Sequence, residues 1–151
     1  MSVSQFSDEL FFQILPTSGS DTLMGSFTGG TTTELKHILT WPIVVGTSGG
    51  TERFRLNLYP TAAMVSAQLM ASSDFVEISS LAFASNGYNN LRFDFSRFNL
   101  DDAFTYFVGM ETQNYTRPTN DSFYIGFEMD WPETVATTES GAMKMVVYGF
   151  R

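Results

Sequence analysis

Apolar and polar side chains alternate with a period of two in four separate stretches of this sequence, and that rhythm admits strands and little else. In Phe104-Thr105-Tyr106-Phe107-Val108-Gly109-Met110-Glu111 one face carries Phe104, Tyr106, Val108 and Met110. In Phe123-Tyr124-Ile125-Gly126-Phe127-Glu128-Met129-Asp130 one face is Phe123, Ile125, Phe127 and Met129, and the other is Tyr124, Gly126, Glu128 and Asp130. Arg53–Tyr59 alternates in the same way, as does Leu91-Arg92-Phe93-Asp94-Phe95-Ser96. A strand turns successive side chains to opposite faces, so each run can give one side to a core and the other to water. Less regular strands are expected at residues 10–15, 23–27, Glu34–Thr40, 65–70 and 143–150. No sustained 3.6-residue stripe runs along the chain, and only a single helical turn, around residues 72–81, is expected.

The punctuation falls between these runs. Gly29-Gly30, Gly49-Gly50, Asn86-Gly87, Asn120-Asp121 and Ser140-Gly141 are turn chemistry. Fifteen Phe and six Tyr suit pleated surfaces better than helices. Many short strands separated by turns predict an all-β antiparallel sandwich or barrel, here as one domain over residues 1–151.

Composition narrows the function classes. A chain that is 43% apolar and only 16% charged can bury a core and does not have the make-up of a disordered segment. Sixteen acidic residues against eight basic ones give a net charge of -8, which repels phosphate backbones and anionic lipid, so neither nucleic acid nor membrane is expected as a partner. With no cysteine there are no disulfides, thiolate nucleophiles or cysteine zinc sites. Met1-Ser2-Val3-Ser4-Gln5 lacks the basic start of a secretory signal, and no apolar run is long enough for a membrane helix, so synthesis and folding in a cytoplasm are expected.

Catalytic constellations are sparse. His37 is the one histidine, in Leu35-Lys36-His37-Ile38-Leu39, where simple alternation puts it on a face with Leu35 and Leu39 as a core or rim residue. No Gly-x-Ser-x-Gly elbow accompanies it, and one histidine without cysteine does not make a usual zinc site. Gly46-Thr47-Ser48-Gly49-Gly50 lacks the Lys-Ser/Thr ending of a phosphate cradle and reads as a hairpin loop. Glu111, Glu128 and Asp130 lie on neighbouring expected strands and would be the acids of a glycosidase, although solvated strand faces explain them more simply. Asp101-Asp102, with Asp94, have oxygen ligands for calcium but not the spacing of a calcium loop, and read as a turn. No catalytic residue, metal or cofactor is expected.

Aromatic residues beside turn chemistry form a different group. Trp41 precedes Pro42, Tyr88 lies in Asn86-Gly87-Tyr88-Asn89-Asn90, Tyr115 and Arg117 in Asn114-Tyr115-Thr116-Arg117, and Trp131 in Asp130-Trp131-Pro132. Such rings suit a protein interface or a sugar, and equally suit plugging the ends of a sandwich. Trp131, Tyr115, Arg117, Tyr88 and Trp41 are therefore the expected partner- or glycan-contacting residues.

The order of features over residues 26–132 carries a resemblance. Ser26-Phe27 leads to an alternating strand at Phe54 to Tyr59, then to Leu69-Met70-Ala71-Ser72-Ser73 and Val76-Glu77-Ile78-Ser79-Ser80-Leu81. Leu91-Arg92-Phe93-Asp94-Phe95-Ser96, Phe98-Asn99-Leu100 and Thr105-Tyr106-Phe107-Val108-Gly109-Met110 follow. This arrangement resembles the jelly-roll β-sandwich modules of phage structural proteins, which are related in form to carbohydrate-binding modules. The resemblance implies a jelly-roll-like sandwich and brings no shared catalytic residues. It implies a non-enzymatic virion accessory subunit (a capsid decoration or cement protein, head fibre or tail component) located in the virion. Such a subunit would contact other capsid or tail proteins as a homo-oligomer, trimers being one arrangement. A carbohydrate-binding module or host-glycan-binding adhesin is the alternative that it implies.

Overall fold

The computed structural model describes residues 12–14, 21–29, 34–46, 51–77, 91–114, 123–130, 142–143 and 145–150. These form twelve strands: β1 (Phe12–Ile14), β2 (Thr22–Thr28), β3 (Glu34–Thr40), β4 (Pro42–Gly46), β5 (Arg53–Tyr59), β6 (Ala71–Ser72), β7 (Val76–Glu77), β8 (Leu91–Asn99), β9 (Thr105–Gln113), β10 (Phe123–Asp130), β11 (Ala142–Met143) and β12 (Met145–Phe150). Every strand pairing is antiparallel. One sheet runs β2-β9-β5-β6, with β7 also on β5, and a second runs β12-β3-β8. A further ladder, β1-β10-β4 with β11 on β10, continues the second along the chain, because only Trp41 separates β3 from β4 and only Lys144 separates β11 from β12. No helix among the described residues is long and apolar enough to cross a membrane.

The two main sheets face each other across one core, as in a β-sandwich. Met24 of β2, Phe54, Leu56 and Leu58 of β5, and Tyr106, Val108 and Met110 of β9 meet Leu35 and Ile38 of β3 and Leu91, Phe93 and Phe95 of β8. These are the alternating positions of β5, β8 and β9, as the period of two requires. Burying one such side chain contributes roughly 1.5–3 kcal/mol, so the two facing rows supply most of what opposes chain entropy.

The sheets are also stitched along one edge by the backbone. Ser73 bridges Phe95 of β8, and the Asp74 N–H donates to the Asp94 carbonyl at 2.9 Å. The Ser73 N–H donates to the Leu56 carbonyl while its Oγ accepts from the Leu56 N–H, both at 2.9 Å, so one serine ties β5 to the opposite sheet.

Tyr106 holds the end where β8 passes over into β9. Its ring, almost wholly buried, packs on Phe27 of β2 (centroids 5.4 Å apart), Phe98 of β8 (5.9 Å) and Phe104 (4.9 Å). Its hydroxyl accepts the Asp101 N–H at 2.7 Å and so anchors the turn that contains Asp101 and Asp102. Gly29 lies against that turn: a Cβ there would come within 2.2 Å of the Asp101 carbonyl oxygen.

Several expectations need correction. Residues 65–70 are not a strand: Ser66–Gln68 is a 3-10 turn, closed by Gln68 N–H to Val65 O at 2.8 Å and Leu69 N–H to Ser66 O at 3.2 Å. Its apolar side chains do not alternate, and Val65, Leu69 and Met70 are exposed. The helical turn expected around 72–81 is absent from its described part, where β6, the Ser73 bridge and β7 stand instead, and residues 78–81 lie outside the described residues. Phe104 precedes β9 and is exposed, so it does not share the buried row of Tyr106, Val108 and Met110. Trp41-Pro42 is not turn chemistry: Pro42 starts β4, a strand not expected from the sequence, at a position where a missing N–H is tolerated. Finally, His37 does not share a face with Leu35. Both ladders of β3 shift register between Leu35 and His37, so Leu35 enters the core while His37 turns outward with Leu39.

Candidate functional site

Of the aromatic and basic residues expected to contact a partner, Tyr88, Tyr115, Arg117 and Trp131 lie outside the described residues. Trp41 is described: it is half-buried at the point where the chain leaves β3 for β4. It joins two strands that run on in sequence, so it does not sit at a reversing turn.

Two other surfaces are built by the strands. The first is the outer side of the sheet β12-β3-β8. Met145 and Val147 of β12 pack on the core, which turns Val146, Tyr148 and Phe150 outward. These remain 40%, 44% and 55% exposed, unusually open for large apolar groups on adjacent turns of a pleat. The register fixes their neighbours: Val146 lies opposite Leu39, Tyr148 opposite His37 and Phe150 opposite Glu34. On the far side of β3, Arg92 lies opposite Leu39 and Asp94 opposite His37. The imidazole of His37 stacks on the Tyr148 ring, with centroids 4.7 Å apart and planes inclined at 27°. The Lys36 ammonium stands 5.0 Å from the centre of the Phe150 ring. Arg92 and Asp94 close the border with an exposed ion pair at 3.0 Å. The result is an apolar ridge with a balanced charged margin, on a chain that is strongly acidic as a whole.

Burial lowers the pKa of His37, and the Arg92 and Lys36 charges lower it further, against the opposing pull of Asp94. Its Nδ1 is buried and has no hydrogen-bond partner.

The second surface is the outer side of β5 and β9, where a polar network replaces water. Asn57, almost fully buried, donates from Nδ2 to Asp21 Oδ2 and to Glu111 Oε2, both at 2.9 Å, and its Oδ1 accepts from Ser72 Oγ at 2.6 Å. The Tyr59 hydroxyl donates to Asp21 Oδ2 at 2.5 Å, and Arg55 Nε donates to Glu111 Oε2 at 2.6 Å. Arg55 and Arg53 both lie over the Phe75 ring, 4.4 and 4.5 Å from its centre, while Arg53 Nε donates to Gln113 Oε1. Burial and the hydrogen bond to Asp21 push the Tyr59 phenol above its ordinary range. Burial pushes Glu111 up, but hydrogen bonds from Asn57 and Arg55 and the Arg55 charge outweigh it and hold the carboxyl below its usual value. That shift suits a carboxylate that accepts hydrogen bonds and is opposite to the one a glycosidase's proton donor needs.

The other proposed acid arrangements come apart. Glu111 is on β9, whereas Glu128 and Asp130 are on β10, and these strands belong to different ladders. Asp94 pairs with Arg92 partway along β8, and Asp101 sits past its far end in the turn. Among the described residues no three acidic or histidine side chains are grouped to hold a metal ion.

Gly109 makes room for the network. It lies opposite Asn57, and a Cβ on it would come 2.8 Å from Met64 Sδ and 3.1 Å from Asp21 Oδ2. Gly109→Ala is expected to cost about 1–3 kcal/mol by displacing Asp21 from its donors, read as a lower denaturation midpoint at unchanged slope.

No protein-family model and no curated protein sequence matches this chain. Two surfaces of the molecule bear on its function. One is closed by its own hydrogen bonds; the other is open and apolar. The outward positions of β12 were not singled out in the sequence. Their signal was there, six uncharged residues with alternating Val146, Tyr148 and Phe150, but which alternate set faces outward depends on the bulge in β3.

Proposed function

We propose that this chain is a non-enzymatic structural or interaction protein that works by burying the β12 ridge against other protein subunits. The open array of Val146, Tyr148 and Phe150, backed by His37 and Leu39, carries that reading. Exposed apolar surface bordered by charge is how a protein contact is built, and aromatic groups supply most of the energy of such contacts.

The most specific form of the proposal follows the resemblance of its sequence: a jelly-roll-like accessory subunit of a phage virion, in the head or the tail, assembled with its own copies and with capsid or tail proteins. The net charge of -8 keeps free copies apart in solution, while the balanced margin of the ridge removes that repulsion where contact is made. A standard contact would bury about 800 Å² on each partner.

The test combines Tyr148→Ser and Phe150→Ser in one variant. Sedimentation of the purified chain, alone and with particles of its source phage, is expected to show association in the parent and at least a tenfold weaker one in the variant, since each truncated aromatic hot spot contributes about 2 kcal/mol or more. Circular dichroism should be unchanged, because both side chains face outward. Equal association of parent and variant would remove the ridge from the mechanism. Strong binding on a glycan array would instead favour the carbohydrate-binding alternative.

A further inference from the structure

We propose that the His37–Tyr148 stack is an acid-sensitive latch: protonation of His37 loosens Tyr148 from β3 and reshapes the outer face of the sheet. The latch is a property of the fold; its bearing on partners rests on the contact reading above.

The geometry supplies the reason. His37 and Tyr148 are directly opposite in the β3–β12 ladder, at the point where both ladders of β3 change register. Nδ1 of His37 is buried with no partner. In the neutral ring that nitrogen can remain an acceptor, whose loss is tolerable, but in the imidazolium both nitrogens are donors, and a buried N–H would face no acceptor. The titratable groups that face the ring come from all three strands: Asp94 and Arg92 on β8, Lys36 on β3 itself, and Tyr148 on β12. A cation over the Tyr148 ring would gain attraction from its face, and Asp94 would add to it. Against this, Asp94 is already engaged by Arg92 at 3.0 Å, and Arg92 and Lys36 both oppose a third positive charge. Burial weighs on the same side and is the largest influence, so the neutral ring is favoured.

The sign of the pH effect follows. In the unfolded chain His37 titrates near 6.5, and in the fold it titrates lower. Between those two values the unfolded chain binds the extra proton, so stability falls as the pH drops from 6.5 and levels off once the folded ring is protonated too. The strain is relieved locally if β12 gives up its stack before the core opens, because Tyr148 is already exposed whereas Ile38 and Phe93 beneath are not.

Carbon–proton NMR of the full chain between pH 7.5 and 4.5 tests this, and the single histidine makes its resonance unambiguous. The expected result is a His37 midpoint below 6.5, with the Tyr148 ring resonances moving at the same midpoint. His37→Phe, which keeps a ring for stacking, is expected to abolish the Tyr148 step. A His37 midpoint at or above 6.5, or a Tyr148 ring that ignores the titration, overturns the latch, and the parent titration decides this even if the variant does not fold. If Tyr148 follows His37 while sedimentation shows no association at any pH, the latch stands and the contact reading falls.

Discussion

Asn57→Asp is expected to lower stability at neutral pH by about 3–5 kcal/mol, the cost of a buried charge whose partners repel it. The side chain at position 57 lies 2.9 Å from both Asp21 Oδ2 and Glu111 Oε2, and it is their shared donor. Aspartate there replaces two donated hydrogen bonds by two like-charge contacts, with Arg55 the one cation in the network that touches Glu111. At this chain length each kcal/mol moves the thermal midpoint by about 2–4 °C, so a drop of roughly 6–20 °C should be seen. The pH dependence separates this cause from simple loss of packing. A carboxyl squeezed between two others has its folded-state pKa raised, so the variant recovers stability as the pH falls through that value toward the ordinary aspartate range. The parent does the reverse: Glu111 titrates below its ordinary 4.5, so its contribution is complete above 4.5 and is lost as the pH falls below it. The gap between variant and parent should therefore narrow on acidification. Asn57→Ala, which adds no charge, should be milder at neutral pH, and its gap should narrow less, because it only removes one of the hydrogen bonds that hold Glu111 low. A gap for the aspartate variant that narrows no more than the alanine one would show that Asp21 and Glu111 do not act on position 57 as charges.

Tyr106→Ala should cost a similar 3–5 kcal/mol, by a different route. The substitution empties a site enclosed by Phe27 and Phe104 on one side and by Phe98 of the opposite sheet on the other. It also leaves the Asp101 N–H without its acceptor. Tyr106→Phe divides the two effects. It keeps the ring contacts and loses only the hydroxyl, and because Asp101 is exposed enough for water to replace it, a cost of about 1 kcal/mol is expected. Urea unfolding of both variants checks this. A phenylalanine variant as damaged as the alanine one would mean that the turn, rather than the ring packing, holds this end of the sandwich.

Much of the core was legible from alternation alone. Phe54, Leu56 and Leu58, then Leu91, Phe93 and Phe95, then Tyr106, Val108 and Met110, all occupy buried positions that the period of two assigns. What the alternation missed has local causes. The register shift at Leu35 and His37 depends on which strands flank β3, and no property of residues 34–40 announces it. β4 was hidden because Pro42 looks like an interruption, although proline is acceptable as a first strand residue. The run at 65–70 is apolar without being inward, and hydrophobicity by itself does not distinguish those cases. The polar network was invisible for a further reason. Asn57 and Tyr59 occupy the face of β5 that alternation gives to water, and their partners, Asp21 and Glu111, come from β9 and from the approach to β2. Four residues from three parts of the chain become a site only once β5 lies beside β9.

The position of β3 also governs the order in which the chain can fold during translation. Its two neighbours in the sheet are β8, which begins at Leu91, and β12, which begins at Met145. A ribosome that has released residues through Asn99 has supplied one neighbour and must still add β9, β10 and β11 before the other emerges. Until then, the side of β3 that will receive Val146 and Tyr148 has nothing to bond with. Closing such long loops before any ladder is complete makes for slow folding, on the millisecond-to-second scale of all-β domains. It also delays the pairing of an uncharged, aromatic segment until β8 to β11 have emerged, which gives crowded nascent chains time to pair the open side of β3 with the wrong neighbour.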